Sequence, residues 1–383
     1  MRKAKRKLRI LIGSLTKDDF RAIPTITKSF IKNKFLSEKY EFIPHYAKRK
    51  YGKTHLAKFN LINLWYLIKH FVSWSVKIII YRPDIAHYPI TSYWNLEKSL
   101  LFLKIAGVFG AKKVGHLHGG AFVDFWSNIR ELRKKINLNE LNRLDVLIVA
   151  SNYWKKMLQE RCNIKTRIEI LYNPINKSFE TKALKFNDHN SDIILFMGEI
   201  DIVKGVLDII ESANVVLNSM ECRFFLAGMI QKRGDLNKCK SLIKNYNLKN
   251  KVYITGKITE EEKMNLFRKA SIFLFPSYFE NFPLVAIEAA TAGLAIITTP
   301  VGALPEFFEH NKSAIYVEPG NTKQIREAVI DLLGNPEKRK RLGKAARRVF
   351  EEKLSRNMIM KQLDNVYIEV LKNVRDTPQI HLK

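Results

Sequence analysis

The sequence predicts an α/β protein built as two successive domains of parallel sheet. Three observations carry that prediction. Short apolar runs that read as buried strands alternate with helix-length segments along most of the chain, which is the rhythm of parallel strands joined by crossover helices. The alternation stops in a polar stretch without apolar periodicity, Asn176 to Ser191, and restarts at Ile193–Met197. The chain has 383 residues, 46% of them hydrophobic, enough to fill two cores.

Taken in order, Ile10–Leu15 reads as the first strand behind a basic arm, Met1 to Leu8. The arm does not read as a secretion signal. Its apolar part is short, contains Arg9, and runs into Thr16-Lys17-Asp18-Asp19 with no small-residue cleavage site. Gly13-Ser14 opens a turn toward a helix expected over Ile23–Lys34, and Tyr40–Tyr46 reads as the second strand. A basic loop with Lys48, Arg49, Lys50 and Lys53 follows. Leu61–Ile80 has the length of a bilayer span, about 20 residues, but Lys69, His70 and Lys77 interrupt it. It is expected to be a helix that is part core and part interfacial surface, with Trp65, Tyr66 and Trp74 suited to a lipid boundary.

Ile85–Ile90 and Lys113–His118 read as further strands around the apolar helix Leu96–Val108. Asn128–Leu138 carries Arg130, Arg133, Lys134 and Lys135 among apolar positions, either as a solvated face or as an acceptor- or membrane-facing element. Leu144–Ala150 is another strand, with Ser151 placed to cap a helix from Tyr153 to Glu160. Beyond Ile193–Met197 come helix Gly205–Val216 and strands Arg223–Ala227 and Val252–Thr255. The chain closes on an amphipathic pattern after Ser355, through Met358, Ile359, Leu363, Val366, Tyr367 and Val370.

The chemistry concentrates between Ala270 and Gly320. Ile272–Phe275 reads as a buried strand, and Pro276-Ser277 ends it. A loop then carries Glu280 and Asn281 into a helix expected over Pro283–Ala292, with Pro283 in its first turn. That helix is apolar almost all round except for Glu288; Gly293 stops it, and Leu294–Thr298 reads as the next strand. A helix start attracts phosphate through its unpaired N–H groups. A buried carboxylate requires hydrogen-bond donors, which sugar or ribose hydroxyls supply. Two acids around an anion-binding helix start therefore suit a sugar joined to a nucleoside diphosphate. On spacing alone the competing reading stands: Glu288 caps an internal backbone group and Glu280 is solvated.

Charge narrows the partners. A formal net charge of +29 implies an anionic partner or surface. The basic residues are spread along the chain without paired Cys/His ligands or another nucleic-acid signature, which favours an anionic membrane surface over nucleic acid. Cys162, Cys222 and Cys239 form no CxxC pair, so neither zinc nor a disulfide framework is expected, in keeping with a reducing cytoplasm. No convincing D-x-D pair stands beside a strand end, so no metal and no cofactor are expected.

The run Glu280-Asn281-Phe282-Pro283-Leu284-Val285-Ala286-Ile287-Glu288 resembles the E-x7-E signature of glycosyltransferase family 4, the retaining family with the GT-B fold. Ala289-Ala290, Ala292-Gly293, Thr299-Pro300-Val301-Gly302, Pro305-Glu306 and Pro319-Gly320 extend the match. Gly198-Glu199-Ile200-Asp201-Ile202-Val203-Lys204-Gly205 resembles the family's G-R-x5-K-G loop, with Glu199 at the arginine position; Arg233, Lys232 and Lys257 are the replacement cations available. Lys113-Val114-Gly115-His116-Leu117-His118-Gly119-Gly120 resembles the strand-end H-G motif, in which His118, or else His116, faces the sugar. Arg21-Ala22 stands near the family's glycine pair, and Tyr172-Asn173-Pro174 matches its turn ending the first domain.

The resemblance implies two Rossmann-like domains facing across a cleft. Residues 1–178 would form the acceptor-side domain, 179–191 a linker, 192–354 the nucleotide-sugar domain, and 355–383 a helix crossing back, with a tail. It implies transfer of a sugar, with retention, from a nucleotide-sugar donor to a saccharide or lipid-linked saccharide acceptor. Such transfer serves cell-surface polysaccharide, lipopolysaccharide or glycolipid synthesis, on the inner face of the cell membrane. Glu280 would orient the sugar, Lys204 would hold the diphosphate, Glu288 would bind ribose, and His118 would touch the sugar. Gly13, Gly198, Glu199, Asn281, Phe282, Pro283 and Leu284 would complete the donor site. A sugar-nucleotide epimerase of the same architecture, or a degraded nucleotide-sugar-binding protein, are the other readings. Product analysis with donor alone separates the first, and donor binding without turnover the second.

Overall fold

Strands buried on both faces pair in parallel, because crossover helices then cover the two sides of the sheet. The computed structural model describes residues 6–15, 22–46, 61–119, 122–186, 189 and 191–372, and the chain divides into two units, Met1–Tyr172 with Ile359–Lys383, and Asn173–Met358. The basic loop Lys48–Lys53, Arg21, Gly120 and residues 2–5 of the N-terminal arm lie outside the described residues.

The first unit holds β1 (Leu8–Leu15), β2 (Tyr40–Tyr46), β3 (Ile85–Ile90), β4 (Lys112–Leu117), β5 (Val146–Val149) and β6 (Ile168–Ile170). They form one parallel sheet in the order β2-β1-β3-β4-β5-β6. The period of two along a strand sorts its residues between faces. Leu11 joins Trp74, Tyr88, Leu103 and Leu158 on one side, under helices Leu61–Tyr81, Trp94–Val108, Glu131–Asn142 and Asn152–Cys162. Ile10 and Ile12 join Phe30, Val114 and Ile148 on the other, where Ile359, Leu363 and Tyr367 of helix Arg356–Lys372 pack. Asp364 of that helix is buried, accepts from the Tyr40 hydroxyl at 2.6 Å and pairs with Lys39.

The second unit holds β7 (Ile193–Met197), β8 (Arg223–Ala227), β9 (Val252–Gly256), β10 (Ile272–Phe275), β11 (Ala295–Thr298) and β12 (Ile315–Tyr316). Its sheet is parallel in the order β12-β11-β10-β7-β8-β9. Strand order therefore reverses between β7 and β10, and ligands of open parallel sheets gather beyond the strand C-termini at such a switch point.

Several expectations change in detail. The helix expected over Ile23–Lys34 is two, Ala22–Ile31 and Lys34–Lys39, because the Asn33 side chain accepts from Leu36 N and starts the second. Pro283 is the N-cap, with φ −78° and ψ 95°, rather than a first-turn residue, and the helix is Leu284–Ala292. The basic segment 128–138 is divided between helices Phe122–Asn128 and Glu131–Asn142, since Arg130 is extended at φ −59°, ψ 141°. The stretch 179–191 is not linker throughout. Asn176 accepts from Ser178 N and caps helix Lys177–Ala183, whose Phe179 and Ala183 are buried in the second unit. The units meet in sequence at Tyr172/Asn173 and again at Met358/Ile359, beside the expected bounds 178 and 354. Four amphipathic helices, Arg233–Asn245, Glu260–Lys269, Thr322–Gly334 and Pro336–Val349, complete the second unit.

Candidate functional site

The loops leaving β7 and β10 meet at the switch point of the second sheet. Tyr278 N donates to Val203 O at 2.9 Å, and the Ser277 hydroxyl donates to the same carbonyl at 3.2 Å. Gly205 makes this approach feasible: at φ +75° a Cβ there would lie 2.3 Å from Pro276 O. The result brings Lys204 Nζ to 2.6 Å from Glu280 Oε1, both side chains largely buried. Burial pushes the Glu280 carboxyl above its usual range, against the pull of Lys204. The Thr299 hydroxyl donates to Ser277 O at 2.5 Å and fastens the end of β11 to the same loop. Gly302, at φ +58°, lets its backbone pass where a Cβ would lie 2.1 Å from Glu280 O.

Asn281 follows directly. Its carbonyl accepts from Ala303 N at 3.2 Å, while its buried side-chain Oδ1 has no hydrogen-bond partner among the described residues. The Phe282 ring stands edge-on to Phe307, 5.6 Å between centroids. Pro283 and Leu284 then begin a helix whose first N–H groups have no intrahelical acceptor. Four residues after Leu284, Glu288 is buried inside the same helix. Its Oε1 accepts from Lys263 Nζ at 2.5 Å, and its Oε2 is buried without a partner among the described residues. Burial raises the Glu288 pKa and Lys263 opposes the rise.

Lys263 was invisible as a site residue in the sequence. It sits on helix Glu260–Lys269, whose start was legible as Thr259-x-x-Glu262; the Thr259 side chain accepts from Glu262 N, and Glu262 reaches back to Thr259 N. Which residue of that helix would meet Glu288 depends on how two helices pack. Gly198 ends β7 with its N–H on Ala227 O at 3.0 Å. Glu199, at the position of the family arginine, accepts from Gln231 Nε2 at 2.6 Å. Of the replacement cations, Lys232 pairs with Asp201 at 3.1 Å; Arg233 opens the next helix, and Lys257 follows β9.

The first unit furnishes its strand ends differently. His118 follows β4, its N–H on Ile90 O at 2.8 Å. The His116 and His118 rings lie 4.0 Å apart. His116 Nδ1 is 3.2 Å from His87 Nε2, and His87 Nδ1 is 2.6 Å from the Tyr367 hydroxyl. Burial lowers all three histidines, His118 to about 4, His87 to about 3 and His116 well below the ordinary value, so all are neutral at pH 7. Gly13 lies against Tyr88, whose ring would meet a Cβ there at 2.1 Å. His118 and Gly13 belong to the first unit; the other candidate residues belong to the second.

Residues 178–349 match the family model of glycosyl transferases group 1, and residues 33–179 match that of glycosyltransferase family 4. An uncharacterized glycosyltransferase of Methanocaldococcus jannaschii is 30% identical over 229 residues, 59% of this chain and 60% of that protein. The match thus spans about three-fifths of that relative's own length. Among solved structures, a glycosyltransferase from Rickettsia africae superposes with a TM-score of 0.75 at 21% identity, over 96% of this chain and 100% of that one. Anabaena HepE, solved in complex with UDP, gives 0.70 at 13% identity, over 95% and 100%. These likenesses identify the fold as GT-B, the α/β architecture of two parallel sheets.

Proposed function

We propose a sugar-transfer function on the premise that the chain belongs to the glycosyltransferases of group 1 and family 4, whose two models together match residues 33–349. The reaction moves a sugar from a nucleoside-diphosphate donor to an acceptor hydroxyl with retention. The bond from the sugar's anomeric carbon to the diphosphate oxygen breaks, and one from the acceptor oxygen forms on the same face. The hydroxyl proton passes from the acceptor to the departing diphosphate oxygen, which also takes the bonding pair.

The observation that carries this reading is the Lys204–Glu280 pair at the strand-order reversal, 2.6 Å across. An ammonium has three donors, so its bond to Glu280 leaves others for the departing diphosphate, whose charge it stabilises together with the backbone N–H groups on either side of Pro283, which itself has none. Glu280, in turn, orients the sugar. Glu288 Oε2 and Asn281 Oδ1 are buried acceptors without partners among the described residues; a ribose hydroxyl satisfies the first. Since Anabaena HepE is named as a UDP complex, a uridine diphosphate sugar is the first donor to try. The acceptor is a saccharide or lipid-linked saccharide of cell-surface polymer synthesis, met in the cytoplasm at an anionic membrane surface.

The test is thermal denaturation with uridine, guanosine, adenosine and thymidine diphosphate sugars, followed by donor-consumption assays. A ligand at one hundred times its dissociation constant stabilises the folded state by about 2.7 kcal/mol, so one base class should raise the midpoint by several degrees. No stabilisation and no consumption with any donor would remove the reading.

A further inference from the structure

Helix Leu61–Tyr81 has two apolar sides. Trp74 and Ile78 face the core, and the Trp74 indole donates to Phe102 O at 2.8 Å. Trp65, Ile68, Val72, Val76 and Ile79, spaced three or four residues apart, form a second stripe on the outside. Trp65 and Ile79 are each 56% exposed. A helix on a protein surface ordinarily turns polar residues outward; here the cation on that stripe is Lys69, its Nζ 5.1 Å over the Trp65 ring.

The neighbouring helices continue the pattern. Trp94–Val108 packs beside Leu61–Tyr81, and Glu131–Asn142 packs beside Trp94–Val108, all on one face of the first sheet. Arg133 binds Glu97 and Lys104 binds Glu140 between the latter two. On their outer sides Leu101, Val108, Leu132 and Ile136 are exposed, Leu132 at 73%. Lys135 lies on the same side of its helix as Leu132 and Ile136 and makes no ion pair among the described residues. No helix among the described residues is long and apolar enough to cross a membrane.

We infer that this three-helix outer face is a docking surface that seats Trp65, Ile68, Val72 and Val76 between the headgroups of an anionic bilayer. The inference rests on the membrane reading above and specifies where and how contact is made. Apolar residues interleaved with cations and bordered by an exposed tryptophan suit the boundary between headgroups and acyl chains. A second copy of the chain suits it less, because two bodies of charge +29 repel. Binding by this face has two parts: attraction of Lys69 and Lys135 to acidic lipid, which salt screens, and insertion, which salt does not.

Vesicle co-sedimentation of the full chain separates these parts. Vesicles of neutral lipid, and of neutral lipid with acidic lipid, are compared from low salt to about 1 M, where the screening length is about 3 Å. The wild type should bind acidic vesicles best and retain a salt-resistant fraction. The triple variant I68N/V72N/V76N, changed only at exposed positions, should keep its circular dichroism and lose that fraction by at least about tenfold. Trp94→Phe leaves Trp65 as the exposed tryptophan, so its emission should shift to the blue on vesicle addition. Binding that salt abolishes completely, with the triple variant unchanged, would overturn the insertion face and leave the membrane reading standing. Absence of binding to any vesicle would remove both. A wild-type dimer that the triple variant dissolves would assign the face to a second copy and overturn the inference.

Discussion

The two units carry sheets of the same direction and strand number among the described residues, yet their strand ends are furnished with opposite chemistry. In the first, neutral rings line β2, β3 and β4: His87, His116 and His118 run together on one face, with Tyr367 against His87, and His45 packs against Trp74 and Tyr88 on the other. In the second, charges meet in pairs, Lys204 with Glu280 and Lys263 with Glu288. The first arrangement excludes charge and the second stores it. The difference teaches where response to pH and response to an anionic ligand should each reside.

Acid should break the comparison most strongly. Burial holds His45 and His87 near 3 and His118 near 4, with His116 also lowered, against an ordinary value of 6.5. Between 6.5 and those lower values the unfolded chain binds protons that the folded unit refuses, so stability falls as pH falls. Each histidine contributes up to about 1.4 kcal/mol per pH unit, and the effect ends once the folded pKa values are passed. Glu280 and Glu288 act with the opposite sign: their raised values let the folded second unit hold protons that the unfolded chain has released, so acidification relieves it. All five tryptophans lie in the first unit, and their fluorescence reports it alone. Its midpoint should drop steeply from pH 7 to 5, while amide protection factors in the second unit, taken relative to the intrinsic exchange rate at each pH, change little. Equal sensitivity of both units would contradict the assignment of neutral histidines.

Removing charge from the second unit comes next. Lys204→Ala and Glu280→Ala should each lower turnover by about a hundredfold to a thousandfold, as preorganised charge stabilisation does, with tryptophan-reported stability of the first unit unaffected. Near-normal rates in both variants would sink the site assignment. Lys263→Met leaves Glu288 buried without its partner and should cost about 2–4 kcal/mol of stability. The double variant Lys263→Met/Glu288→Gln should recover most of it; failure to recover would mean the pair is not what the loss reports. The smallest effect expected is that of EDTA. With Lys204 and a helix start serving the diphosphate, turnover should stay within about twofold of the untreated rate, and a loss restored by magnesium or manganese would reveal a carboxylate site.

Some of this was legible before any packing was known. The strands Ile193–Met197 and Ile272–Phe275 have the bounds that their apolar runs predict, because a strand buried on both faces must be apolar at every position; Tyr40–Tyr46, Ile85–Ile90 and Arg223–Ala227 also keep their bounds, although Glu41 and Arg223 are exposed. Ser151 caps its helix as read, accepting from Trp154 N at 3.3 Å. Pro283 stands at the cap, one position before the first turn expected of it, because the fixed φ of proline suits both places. Asn335-Pro336 and Thr259-x-x-Glu262 mark the starts of two amphipathic helices of the second unit.

Strand and helix type were determined by the sequence itself, since burial on one face or two writes a period of two, of 3.6, or an unbroken apolar run into local composition. So was the presence of two acids around a helix start. Tertiary structure alone decided the partners. Lys204 reaches Glu280 across 76 positions, Lys263 reaches Glu288 across 25, and Tyr367 reaches His87 across 280. It also decided that helix Leu61–Tyr81 turns Trp74 inward and Trp65 outward. The physical reason is common to all four. A side chain's neighbours are set by strand order and helix rotation, which arise from the packing of the whole unit and leave no period in the chain.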